Sequence, residues 1–168
     1  MNRYTVAVLV NNHYGVLNRV TSMFRRRQFN ISSLSVSETE SSDLSRITVI
    51  FDGEENNKQQ LINQLYKLPD VCSIRELDSE NSVSCELLLI KMKNESGSRD
   101  DIMAAAHAFS ASVVDYTRDS LVFQLTGTNR KIEDFISLMQ DYVILEICRT
   151  GIASLEKGSS TIRKVSYL

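Results

Sequence analysis

Residues 4–20 read "YTVAVLVNNHYGVLNRV", and the order of features in this stretch sets the rest of the fold. Tyr4 to Val10 is apolar and rich in β-branched residues apart from Tyr4 and Thr5, as in a buried strand. A polar turn, Asn11 to Gly15, follows. From Val16 the spacing becomes helical: Val16, Val20, Met23 and Arg27, or Leu17, Val20 and Phe24. The turn puts two asparagines, a histidine and a glycine where a helix begins. Free backbone N–H groups and the positive end of the helix dipole hold small anions at such a place. The plainer role for Asn12 is to cap the helix in an ordinary strand-to-helix connection.

Working outward, "FNISSLSVSE" (29–38) alternates imperfectly, as an edge strand does, and "RITVIFDG" (46–53) is a further strand after the polar turn "TESSDLS". Residues 56–68 bring Leu61, Leu65 and Leu68 onto one helical stripe, Pro69 stops that helix, and "VCSIREL" (71–77) is a fourth strand. The order is βαββαβ, and it recurs. "VSCELLLIKM" (83–92) is a strand, Ile102, Ala106 and Phe109 stripe a helix, and "SVVDYT" and "SLVFQLTG" pair around Arg118-Asp119. Ile132, Phe135 and Met139 then stripe a second helix, and "VILEICRT" closes the unit. The polar run "DSENS" (78–82) joins the copies, so residues 1–78 and 79–168 are the expected domains. Each is an α+β, ferredoxin-like unit, two helices on one face of an antiparallel sheet. Both strand faces are apolar: Ala7 and Leu9 oppose Val6 and Val8, and Leu87 and Leu89 oppose Leu88 and Ile90. The second faces or edges are therefore expected to pack on a second chain, the other unit or a partner protein, with self-association the simplest solution.

Composition narrows the function. Among 168 residues, 19 Lys and Arg face 21 Asp and Glu, which gives no general electrostatic grip on nucleic acid. The one basic run, Arg25-Arg26-Arg27, suits a helix C-terminus. The apolar stretches are strand-length, so no membrane-spanning helix is expected, and the N-terminal residues lack a signal-peptide layout. Cys72, Cys85 and Cys148 show no C-x-x-C spacing and read as buried reduced thiols of a cytoplasmic protein. His13 and His107 have no ligand-spaced neighbours, so no metal site is expected. A nucleophile elbow, a phosphate-cradling glycine loop and a dinucleotide fingerprint are absent, and Glu38, Glu40 and Asp43 fit a solvated hairpin turn. RNA recognition wants exposed aromatics on the central strands, and only Tyr4 and Phe51 stand there. No catalytic residue is assigned.

The opening turn remains. Asn11, Asn12 and His13 supply polar groups, Gly15 permits close backbone approach, and the helix from Val16 offers N–H donors to a carboxylate. Val16, Leu17 and Ile31 are candidates for contact with an apolar side chain. Asn30 either caps the first helix or reaches this neighbourhood from another subunit. The residues alone leave open an amino-acid-binding regulator of some enzyme or of transcription, or a small enzyme with an unfamiliar site.

The stretches "NNHYGVLNRVTSMFRRRQFNISSLSV", "SRITVIF", "LINQLYKLPDV" and "ILEICRTGIASLEKG" closely resemble the small regulatory subunits of acetolactate synthase (acetohydroxyacid synthase), in register along about the whole chain. The resemblance implies an N-terminal ACT domain, the ferredoxin-like amino-acid-sensing module, followed by an ACT-like domain. It implies a non-catalytic, homodimeric subunit in the biosynthesis of valine, leucine and isoleucine. Such a subunit binds and stimulates a large catalytic subunit, which holds thiamine diphosphate, Mg²⁺ and FAD, and confers feedback inhibition by valine. It further implies an effector site between two N-terminal domains, falling here on Asn12, Gly15, Val16, Leu17, Asn30 and Ile31. Tyr14 stands where relatives often have proline or a small residue, and Asn18 where serine is common; both flank that site.

Overall fold

The computed structural model describes residues 2–163. Among them, 2–83 together with 153–163 form one compact unit, and Ser84–Ile152 form the other.

In the first unit, β1 (Asn2–Asn11) leads to α1 (Val16–Arg26), β2 (Ile31–Glu38), β3 (Leu44–Gly53), α2 (Glu55–Leu65) and β4 (Val71–Glu76). The strands form an antiparallel sheet in the order β2-β3-β1-β4. Period-two alternation sends Tyr4, Val6, Val8 and Val10 into one core with Ile47, Val49 and Phe51 of β3. The helices meet it with residues three or four apart: Val16, Val20 and Phe24 from α1, Leu61 and Leu65 from α2. Phe51 is the centre of this core, with ring centroids 5.3 Å from Phe24, 5.0 Å from Phe29 and 5.8 Å from Tyr4. Gly53 makes the Phe29 contact possible, since a Cβ there would lie 2.5 Å from Phe29 Cε1.

A lysine is buried at the edge of this core. The Lys58 side chain is only 6% exposed, yet its Nζ donates to both carboxylate oxygens of Glu76 (2.8 and 2.7 Å), pairs with Glu55 (2.6 Å) and sits 4.5 Å from the Tyr4 ring centroid. Burial opposes its charge, but hydrogen bonds to Glu55 and Glu76 outweigh that and raise its pKa. Glu55 is lowered by its bonds to Lys58 and Tyr4. The raised lysine stabilises the fold below its ordinary range and loses that effect as pH rises through the folded value. The lowered carboxyl stabilises above its ordinary range and loses that effect as pH falls. Lys58→Met is therefore expected to lower stability by about 1 kcal/mol between about pH 5 and about pH 10, with a smaller difference outside that window. The partner carboxylates can return to water, which keeps the cost small. Urea unfolding at several pH values checks it.

The second unit repeats the order with β5 (Ser82–Lys93), α3 (Arg99–Ala108), β6 (Ser112–Tyr116), β7 (Ser120–Gly127), α4 (Asn129–Met139) and β8 (Ile144–Arg149), its sheet running β6-β7-β5-β8. Leu88, Ile90 and Met92 of β5 and Leu121, Phe123 and Leu125 of β7 face Ile102 and Ala106 of α3 and Ile132, Phe135 and Met139 of α4. The Thr128 hydroxyl caps α4 by accepting from the Lys131 N–H. Beside this core Glu86, 3% exposed, takes a bidentate bond from Arg149 (2.7 and 2.9 Å), whose Nη1 also reaches Glu133 at 2.7 Å.

Two expectations change. The division falls at 83/84 instead of 78/79, and residues 153–163, expected in the second domain, belong with the first. They include the short strand β9 (Ala153–Glu156), and they are tied there by Arg46 Nη2 to the Ser154 carbonyl (2.7 Å) and by Lys157, whose N–H bonds the Asn81 carbonyl and whose Nζ bonds that of Glu80. So the chain's own later segment lies over the outer face of the first sheet, where Leu9 and Thr48 are buried. The cysteines also differ: Cys72, Cys85 and Cys148 are exposed, not buried. Cys148 pairs in register with Leu89, on the strand face turned away from the core, and Cys72 falls where the β1–β4 register shifts.

Candidate functional site

The turn after β1 is held by the α2–β4 connection and by the β2–β3 hairpin. Asn11 N–H donates to the Asp70 carbonyl and Asn12 N–H to the Asp43 carbonyl, each at 2.8 Å. The Asn12 side chain does not cap α1. Its Nδ2 donates to Glu38 Oε1 (3.0 Å) and to the Ser42 carbonyl (2.9 Å), pinning the turn to the β2–β3 hairpin. The N-cap is Gly15, in the left-handed region at φ 81°, with no side-chain cap bond. Glycine adopts that conformation without the steric cost other residues carry. Capping by Asn12 fails because the helix starts after this left-handed glycine, too far on for the asparagine to reach.

What the turn presents is therefore a row of donors. Val16 N–H makes a long 3.4 Å bond to the His13 carbonyl, and Arg19 N–H bonds the Gly15 carbonyl at 3.0 Å. The N–H groups of Leu17 and Asn18 lie between them at the helix start, and no acidic residue occupies the first turn. Tyr14 is wholly exposed and Leu17 is 40% exposed, whereas the Val16 side chain is 3% exposed and belongs to the core. Val16 thus offers a backbone amide, not an apolar contact. Arg19 flanks the site, 2.9 Å from Asp70.

Asn30 and Ile31 stand elsewhere. Ile31 pairs with Phe51, and Phe51 with Tyr4, whereas Glu38 pairs with Ser45 and Asn11 with Leu44. The two groups of site residues thus lie at opposite ends of the first sheet, about 24 Å apart at ~3.4 Å per strand residue. One chain does not bring them together. The Asn12–Glu38 and Arg19–Asp70 contacts were missed by sequence reasoning, which placed Glu38 in a solvated turn; only the strand register brings it against Asn12. Among the described residues no group of three or more His, Cys, Asp or Glu side chains is placed to hold a metal ion, and no helix is long and apolar enough to cross a membrane.

Two βαββαβ units, one carrying an exposed turn of donors at its first helix, define a protein of paired ACT-type, ferredoxin-like domains. Residues 6–73 match the family described as AHAS small subunit-like ACT domain, and residues 85–158 the family described as small subunit of acetolactate synthase. The chain belongs to the acetolactate synthase small-subunit family. It is 42% identical to the acetolactate synthase small subunit of Mycolicibacterium smegmatis, over 92% of this chain and 91% of that one. It is 41% identical to that of Bacillus subtilis, over 92% and 90%. The crystal structure of the acetolactate synthase small subunit from Thermotoga maritima is similar at a TM-score of 0.86 and 33% identity, covering 95% of this chain and all of that one.

Proposed function

We propose that this chain is the non-catalytic regulatory subunit of a cytoplasmic acetolactate synthase. It binds and stimulates a large catalytic subunit, which carries the thiamine diphosphate, Mg²⁺ and FAD, and it transmits feedback inhibition by valine. The observation that carries the effector reading is the exposed row of helix donors at Gly15–Asn18, suited to a carboxylate. Asn12, its Nδ2 engaged, keeps Oδ1 to accept from an ammonium group.

The second half of the site comes from a second copy. β2 is an edge strand, paired among the described residues with β3 alone. Antiparallel pairing of two β2 strands about a two-fold axis near Leu34 and Ser35 sets Ile31 of one copy opposite Glu38 of the other. Because Glu38 is bonded to Asn12, this arrangement carries Asn30 and Ile31 to the other copy's donor turn. Dimerisation thereby closes the distance that separates the two groups in one chain. It accounts for all six candidate residues, Val16 through its backbone.

Mixing the chain with an acetolactate synthase large subunit tests the reading. Turnover is expected to rise, and valine to inhibit. Asn12→Ala is expected to raise the inhibition midpoint roughly 5- to 150-fold, from about 1–3 kcal/mol for a lost hydrogen bond in a closed site, with activation kept. A confirmed complex with no change in turnover would overturn the partner assignment. An unmoved midpoint with a lowered melting temperature would make Asn12 a tie for the hairpin and nothing more.

A further inference from the structure

The first unit holds a cavity that the effector turn does not use. It lies on the outer face of the first sheet, between strand residues Leu9, Ser35, Ser37, Arg46 and Thr48 and the segment 153–163, with a volume of about 740 Å³. That size falls within the roughly 300–1,000 Å³ of small-molecule sites.

Most charged groups in its walls are already engaged. Glu38 accepts from Asn12, Glu40 pairs with Arg163 at 2.7 Å, and Arg46 Nη2 donates to the Ser154 carbonyl. Arg46 Nε is the exception: it is buried and meets no acceptor among the described residues. Buried polar groups left in this state call for an acceptor that the described residues do not supply. Burial also lowers the Arg46 pKa, and the nearby Glu156 charge offsets this only in part, so the guanidinium is short of negative charge. Register puts hydroxyls beside it: Ser37 pairs with Arg46, and Ser35 with Thr48. The remaining wall is apolar, with Leu9, Ala153, Leu155 and Ile162.

We propose that this cavity binds a small aliphatic monocarboxylate, its carboxylate on Arg46 and the β2 hydroxyls and its hydrocarbon body against Leu9, Leu155 and Ile162. An uncharged apolar molecule leaves the guanidinium unmet. An inorganic anion leaves the apolar wall unmet, and Glu38, Glu40 and Glu156 in the same walls oppose a second negative charge.

The test uses the full chain alone, so its outcome is independent of the reading of the subunit's role. Arginine side-chain nitrogens are labelled, and hexanoate, hexanol and formate are titrated separately. Hexanoate is expected to shift the Arg46 Nε–H resonance saturably, with hexanol and formate each binding roughly tenfold or more weakly, the scale of a charge-assisted hydrogen bond or of a buried hydrocarbon chain. Ser37→Leu, which fills the cavity and spares the guanidinium, and Arg46→Gln are expected to weaken hexanoate by a similar factor. An Arg46 resonance that does not move in the unmodified chain overturns the proposal. So does equal binding of hexanol or of formate, or unchanged affinity in a folded Ser37→Leu variant.

Discussion

Arg149→Ala is expected to lower the stability of the second unit by about 3–5 kcal/mol, the loss found when one partner of a buried ion pair is removed. Glu86 is 3% exposed, and its carboxylate is held by two guanidinium bonds of 2.7 and 2.9 Å, with Asn129 Nδ2 more distant at 3.4 Å. Truncation removes that guanidinium and leaves the carboxylate buried. Bonds to Glu86 first, and to Glu133 after it, raise the Arg149 pKa far above the range of any folding experiment, so the guanidinium stays charged at every accessible pH. The charge explanation makes a second demand. Glu86→Gln in the Arg149→Ala background is expected to recover part of the loss, because it removes the buried charge while keeping the side chain's shape. Denaturant unfolding of the single and double variants measures both, and a double variant no more stable than Arg149→Ala would assign the loss to packing.

Phe51→Ala is expected to cost the first unit about 3–5 kcal/mol. Phe51 is fully buried at the meeting point of three other rings, and its strand pairs with β1 on one side and β2 on the other. Truncation removes the transfer energy of the ring and leaves a void among Phe24, Phe29 and Tyr4, whose edge and tilted contacts add to the loss. Phe51→Leu fills most of that void and is expected to cost less than half as much. Equal losses in the two variants would mean that the ring contacts, not volume, hold this core. Both are read from the denaturation midpoint at constant slope.

The sequence carried the fold where hydrophobic periodicity and sharp punctuation agree. Val6, Val8 and Val10 at period two, Val16, Val20 and Phe24 at helical spacing, and Pro69 beyond α2 each mark an element that the structure contains. The extent of β7, Ser120–Gly127, was legible in full. Less was legible where a residue's role depends on distant chain. "ASLE" of β9 has no strand-length apolar pattern, and its Ser154 carbonyl accepts from Arg46, 108 residues earlier. The cysteines misled for a related reason. Small apolar residues on both faces of a strand do not say which face is covered, and Cys148 lies on the face away from the core. At the candidate site, residue types were legible and orientations were not. Asn12 turns to Glu38 because the β2–β3 register brings that carboxylate within 3.0 Å, a relation that spacing in sequence does not encode.

The return of residues 153–163 to the first unit has a consequence for how the protein is made. On the ribosome, β1 to β4 emerge first, but the segment that lies over their outer face follows about 70 residues later. At roughly 5–20 residues per second that is a wait of about 4–14 s. During it, Leu9 and Thr48 face solvent or whatever binds the nascent chain, and the Arg46 guanidinium has no Ser154 carbonyl to meet. The unit that emerges first is thus completed only after residues 84–152 have been made.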